Sequence, residues 1–318
     1  MRIGAPALAT PLRGGYAERT ITHAPAWGWL VAWDLLFNGI TTGLFLVAAV
    51  CELAALDVFA RAARAAYPVA LVFLLIDLAS LVFDLGDPLR FHHMLRVVKL
   101  GSPMSVGTWC LTLYSLPLTV AAAISVLPGE WPSLEAVRRV AIIVGLPFAL
   151  GSAVYKGVLL STSAQPGWKD ARWLGGYLTS SAITLGCAGM LSLSAVMGEE
   201  RAVAAFRFAL GILVMVNLIP LGRLAADVRS ALVRIYSPRE LVGLTAVCLV
   251  GGTLLPLFFL LAGKAPGVLV AAALCIALAG LAIRFAIVRL PHASPWRTER
   301  QLRGNQGSVP RRQKTWST

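Results

Sequence analysis

The sequence predicts an all-α integral membrane protein built as a bundle of eight transmembrane helices. Of its 318 residues, 58% are hydrophobic and 14% are charged, against about 25% charged in an average soluble domain. Apolar runs of roughly 20 residues, the length of helix that crosses a bilayer, recur along nearly the whole chain. The loops between them are too short to fold as a soluble domain.

The first run, Trp27 to Leu53, opens with Trp27, Trp29 and Trp33, amphipathic rings that suit a headgroup boundary. It carries Asp34, Asn38 and Thr41 at spacings of four and three, which share one helical face. The second, Tyr67 to Phe83, repeats the pattern with Asp77, Ser80 and then Asp84. The third, Val106 to Leu127, contains Pro117. The fourth, Val140 to Thr162, contains Pro147 and gathers Ser152, Tyr155 and Lys156 towards its end, with Ser163 just beyond. The fifth, Leu174 to Met197, rests on length and apolarity. The sixth, Val203 to Leu224, holds Pro220, and the seventh, Leu241 to Ala262, holds Pro256. The eighth runs from Gly267 to Val288. The four prolines remove backbone hydrogen bonds and kink helices, and helix packing is the commoner use of such kinks than shaping a cavity.

Three regions follow: an N-terminal interfacial segment over 1–26, the eight-helix domain over 27–290, and a basic tail over 291–318. The first segment contains Pro6, Pro11, Gly14 and Gly15 and has no compact apolar core with a cleavage site, unlike a secretory signal peptide. The tail, rich in Arg, Gln, Gly and Ser, has the composition of a disordered segment.

An even number of spans puts both termini on one side. The opposite side receives Arg61, Arg64, Arg138, Arg139, Arg201, Arg207 and Lys264. The terminal side, with Arg284 counted among its basic residues, receives roughly three times as many, which by the positive-inside rule makes the termini cytoplasmic. A basic surface that docks an acidic partner subunit is the competing reading of the same count.

Several chemistries lack their residues. Cys51, Cys110, Cys187, Cys248 and Cys275 are scattered singly, with no paired spacing for zinc or an iron–sulfur cluster. His23, His92, His93 and His292 fall near membrane boundaries, whereas haem held between helices needs axial ligands inside the spans. No phosphate-binding glycine fingerprint stands in a strand context. The expectation is a chain with no haem or iron–sulfur cluster of its own. Carboxylates are another matter: one near the middle of a transmembrane helix costs about 2.5–3.5 kcal/mol on insertion scales, so it persists where it faces protein, water or a ligand. With alternating helix directions, Asp34, Asp84 and Tyr155 fall in the terminal-side half of the membrane and can converge on one pocket.

The most specific text is Asp84-Leu85-Gly86-Asp87-Pro88-Leu89-Arg90-Phe91-His92-His93-Met94-Leu95, followed by Ser102-Pro103-Met104-Ser105 and Trp109. With it goes Tyr155-Lys156-Gly157-Val158-Leu159-Leu160-Ser161, leading into Ala164-Gln165-Pro166 and then Trp168, Asp170, Ala171, Arg172 and Trp173. Together these resemble the NrfD-like family, the membrane subunits of polysulfide reductase and related molybdoenzyme complexes. The resemblance covers nearly all eight spans and not the tail. It implies a subunit of the prokaryotic cytoplasmic (inner) membrane that binds menaquinone or ubiquinone. Such a subunit exchanges electrons with a ferredoxin-like iron–sulfur partner, which connects to a molybdopterin catalytic subunit. The substrate chemistry then occurs on another polypeptide. In the polysulfide reductase member the quinone head lies between the start of the first helix and a tyrosine on the fourth, and Tyr155 matches that tyrosine by its Tyr-x-Gly context. Asp34 stands where that site has a first-helix histidine, which alters the hydrogen bond offered to a quinone oxygen. The family's best-known members carry their catalytic subunits outside the membrane on the same side as the termini, opposite to the charge count.

On this reading Tyr155, Asp34 and Asn38 are the quinone-binding residues, and Asn38 has helix packing as its blander alternative. Asp77, Asp84, Arg90 and Lys156 are proton-path groups or structural ion pairs: Asp84 can pair with Arg90, and Lys156 can neutralise Asp77 or Asp34. His92, His93, Gln165, Trp168 and Arg172 are expected at the partner docking surface. Two rival functions stand beside it. A proton-coupled transporter or channel would also place acids in the bilayer, with Glu52 on the opposite side in its path; a redox-inert anchor would need neither Asp34 nor Tyr155.

Overall fold

The computed structural model describes residues 27–54, 57–85, 87–129 and 131–291, without the side chains of Pro88 and Arg90. The interfacial segment over 1–26 and the tail after Pro291 therefore lie outside the described residues, as do His23, His292 and the side chain of Arg90. All regular structure among the described residues is helical, and eight helical spans are long and apolar enough to cross a membrane.

The helices are α1 (Trp29–Leu53), α2 (Ala60–Phe83), α3 (Pro103–Val126), α4 (Pro132–Ser161), α5 (Leu174–Val196), α6 (Glu200–Val216), α7 (Leu218–Ile235), α8 (Pro238–Ala246), α9 (Leu255–Ala262) and α10 (Pro266–Arg289). The spans Glu200–Ile235 and Pro238–Ala262 each contain two of these helices. Their starts follow local chemistry. Proline occupies the first turn of α3, α4, α8 and α10, where its missing N–H costs nothing. Ser102 caps α3 by accepting the Ser105 N–H, and Ser237 with Glu240 forms a reciprocal capping box on α8.

The helices extend the predicted runs at several ends. The sixth span does not stop at Leu224: α7 continues to Ile235 because Leu224, Val228 and Leu232 keep an apolar stripe packed on the bundle, while Arg223, Arg229 and Arg234 occupy the exposed side. Of the predicted prolines, Pro117 and Pro147 lie inside α3 and α4. Pro220 follows the break at Asn217, and Pro256 follows a π-helical stretch over Val247–Leu254. Pro256 supplies no N–H and crowds the carbonyl of Gly252, so the helix relaxes into wider turns there.

The bundle is organised around α1, which packs against α2, α4, α5 and α10 and has the largest buried share of any span. Its backbone meets that of α5 at glycine positions. A Cβ on Gly43 would stand 1.8 Å from the Ala182 carbonyl oxygen, and one on Gly186 would stand 2.1 Å from the Gly43 oxygen. Gly39 and Gly43 on α1 and Ala182 and Gly186 on α5 thus form a small-xxx-small seam, the contact that lets membrane helices gain dispersion energy at short range. A core of Phe45, Tyr67, Tyr114 and Leu118 fills the end of the bundle away from the termini. Trp168, Tyr177 and Val228 fill the terminal-side end.

Candidate functional site

The first turns of α1, the end of α2 and the end of α4 meet in the terminal-side half of the bundle. Val31, Asp34 and Leu35 form a stripe at helical spacing on α1, with Trp27 just before the helix. The corresponding set is Leu81 on α2 with Asp84 and Leu85 just past its end, and on α4 it is Tyr155, Lys156, Leu159 and Leu160. With Met94 and Met104 they enclose a cavity of about 340 Å³. Its wall is apolar apart from a few convergent polar groups, as in small-molecule pockets of about 300–1,000 Å³. Gly107 on α3 makes room for the Tyr155 ring, since a Cβ there would stand 1.8 Å from Cδ2 of the ring. Trp27 stacks on Trp168 at 5.7 Å between ring centroids.

Behind this wall lies a polar network. Lys156 Nζ donates to Oδ1 of Asp34 and Oδ1 of Asp77, each at 2.8 Å. Asn38 Nδ2 donates to Oδ2 of Asp77 at 3.3 Å and to Ser152 Oγ at 3.0 Å. Asp34, Asn38, Asp77, Ser152 and Lys156 are all buried. The spacing of four between Ser152 and Lys156 aims both at the same neighbours. Asp34 and Lys156 reach the cavity wall, whereas Asp77 is enclosed behind them. Two carboxylates share one ammonium, so the trio is neutral only with one added proton. Such a group in a dry interior can hold and release a proton beside a bound molecule.

The other expected residues are placed as follows. Asn38 does not line the cavity; it orients Asp77. Asp84 caps the end of α2 and lines the cavity mouth. Burial raises its carboxyl above the usual carboxylate range, partly offset by a backbone hydrogen bond at Gly28. His92, His93 and Arg172 are exposed and Gln165 is half-buried. His92 Nδ1 is 3.0 Å from the Leu89 carbonyl, and the two histidine rings lie 4.4 Å apart. Trp168 requires a correction. It is fully buried, its Nε1–H donates to the Ile287 carbonyl at 2.8 Å, and so it has no surface to offer a partner.

Glu52 belongs to an ion-pair cluster at the opposite end, accepting from Arg138 Nη1 at 3.1 Å and from the Tyr67 hydroxyl at 3.0 Å. Arg138 also pairs with Glu135, as does Arg64. Arg284 is a second correction. Counted among the loop cations of the terminal side, it is buried within α10 at 1% exposure, donating to the Gly280 carbonyl and to Ser181 Oγ. Gly39 and Gly280 vacate the space that its guanidinium fills. Its place near the end of an apolar run gives no sign of an inward direction. The cavity's apolar members, Met94 and Met104 among them, carry no chemical signal beyond their place in the two long motifs.

Among the described residues, no three His, Cys, Asp or Glu side chains gather into a group that could hold a metal ion. Compared with protein families, residues 20–289 match the one described as polysulphide reductase, NrfD. No curated protein matches the chain.

Proposed function

Because the chain belongs to the NrfD family, whose members are membrane subunits of oxidoreductase complexes, we propose that it is the quinone-binding subunit of a molybdopterin oxidoreductase in a prokaryotic cytoplasmic membrane. Its partners on this reading are a ferredoxin-like iron–sulfur subunit, which relays electrons, and the molybdopterin catalytic subunit. The observation that carries the reading is the cavity itself. It combines an apolar wall, a phenol and a buried carboxylate whose protonation is poised by a shared ammonium.

The residues present fit a quinone head group: the volume suffices, and the polar groups converge from α1, α2 and α4. A bound menaquinone or ubiquinone supplies the redox chemistry, taking up two electrons and two protons on reduction. Tyr155 would hold one carbonyl oxygen by a hydrogen bond from its hydroxyl and pass a proton along that bond. Asp34 would deliver or accept the second proton at the other oxygen. Lys156 fixes the Asp34 carboxyl by its 2.8 Å contact and holds the balancing charge. Asp77, held by Lys156 and Asn38, gives the ammonium its second carboxylate partner. Asp84, at the cavity mouth, passes protons between the aqueous boundary and Asp34. The apolar side chains Leu81, Leu159 and Met104 exclude water from the remainder.

Tyr155→Phe and Asp34→Asn test this in the intact complex. Each should lower quinone-linked turnover by on the order of 10²-fold, the size of one general acid–base or positioning contribution, while the partner subunits still co-purify. Wild-type turnover in both variants would refute the assignment.

A further inference from the structure

A second cavity, sharing no residue with the first, opens between α7, α8 and α10. It has a volume of about 330 Å³, and Gly222, Ala225, Leu241, Leu244, Cys248 and Ile287 are among its lining residues. Its polar members offer nothing to a quinone head: the Thr245 hydroxyl is donated to the Leu241 carbonyl at 2.8 Å, and the remaining wall is hydrocarbon apart from the Cys248 thiol. Gly222, Ala225 and Leu249 are exposed, so the cavity opens sideways to the bilayer. The end of α7, the start of α8 and the end of α10 place it in the terminal-side leaflet, near the level of the headgroups.

Two cations rim it. Leu218, Gly222, Ala225, Arg229 and Leu232 fall in one row along α7 at spacings of four and three, and Arg229 is an exposed member of that row. From α10, Arg289 lies over the Tyr236 ring at 5.5 Å, and the Tyr236 hydroxyl donates to the carbonyl of Ala286, a lining residue. Of the two neighbouring acids, Glu240 forms an exposed ion pair with Arg289. Asp227 accepts the Trp173 N–H at 3.0 Å, and Glu240 accepts the Ser237 N–H and hydroxyl while standing 3.8 Å from Arg289. An apolar slot open to lipid, with two guanidiniums at headgroup depth, matches an acyl chain joined to a phosphate.

We propose that this cavity holds one acyl chain of an anionic phospholipid, with Arg229 and Arg289 binding its phosphate. The lipid fills the gap that the side chains of α7, α8 and α10 leave open, and so seals α7 to the bundle.

Native mass spectrometry of the purified full chain tests this with phosphatidylglycerol and phosphatidylcholine of identical acyl chains. Retention of phosphatidylglycerol should exceed that of phosphatidylcholine by about thirtyfold, on the order expected for two arginines near a membrane surface. The double substitution Arg229→Gln, Arg289→Gln should bring the two lipids to within about threefold of each other. Gly222→Phe offers an independent check, because a Cβ at Gly222 meets nothing within 4 Å and the ring would occupy the slot. It should remove both bound lipids without lowering the melting temperature. Equal retention of the two lipids by the wild-type chain, undiminished lipid in Gly222→Phe, or a partner-subunit helix cross-linked to Cys248 would each overturn the proposal.

Discussion

The ammonium of Lys156 stands 2.8 Å from Oδ1 of Asp77, a residue with no solvent exposure. Removing one side of such a buried pair leaves an uncompensated charge, a loss of about 3–5 kcal/mol. Lys156→Met should therefore lower the thermal stability of the purified chain sharply. Adding Asp34→Asn and Asp77→Asn in the same chain should recover most of the loss. Thermal unfolding followed by intrinsic fluorescence reads both, and equal stability in Lys156→Met and wild type would show that the trio is not held as an ion pair.

Gly107 meets the site at the Tyr155 ring. The Cβ of Gly107→Ala would fall within the space of the Tyr155 ring, so the ring must tilt into the cavity. A displacement of about 1 Å at a positioned group can cost on the order of 10²-fold in rate. Quinone-linked turnover of the intact complex should fall accordingly, with little change in subunit stoichiometry. Unchanged turnover would show that the orientation of the phenol does not matter.

Asp84 gives a pH dependence with a definite sign. Its carboxyl is raised in the folded protein by burial, so the folded state binds a proton more tightly than the unfolded chain does. Stability from this group is present at low pH and is lost as pH rises through the folded value. Asp84→Asn should thus raise the melting temperature more at pH 8 than at pH 5. A larger gain at pH 5 would contradict the burial assigned to this side chain.

The α1–α5 seam yields a packing test. At Gly43 an added methyl meets the backbone carbonyl of Ala182 and cannot be accommodated by a rotamer change. Gly43→Ala should destabilise by about 1–3 kcal/mol, as overpacking does, whereas Gly222→Ala, in open space, should not. Melting temperatures of the two variants make the comparison.

The residues differ in how openly the sequence announces them. Charges inside apolar runs are legible because the bilayer makes them expensive, and that cost alone singles out Asp34, Asp77 and Lys156. Their partnership depends on which faces of α1, α2 and α4 meet, and periodicity supplies each face but not the neighbour. Arg284 is misread for the same reason: a cation in the last turns of α10 can extend to the headgroups or turn inward, and only the space left by Gly39 and Gly280 decides it. Trp168 reads as outward because it sits in a polar loop, yet its indole N–H finds the Ile287 carbonyl and its ring lies under Trp27. The eight spans follow from apolar length alone. The continuation of α7 past Leu224 does not, because its stripe becomes amphipathic and falls below the density of apolar residues that marks a transmembrane run.

The most direct measurement is photolabelling of the purified complex with an azidoquinone, followed by peptide mapping of this chain. The expected result is label on the Trp27 to Leu35 and Tyr155 to Leu160 peptides, competed by unmodified quinone and reduced in Tyr155→Phe and Asp34→Asn. Label confined to peptides of α7 and α8, or none on this chain, would contradict a quinone site formed by α1, α2 and α4.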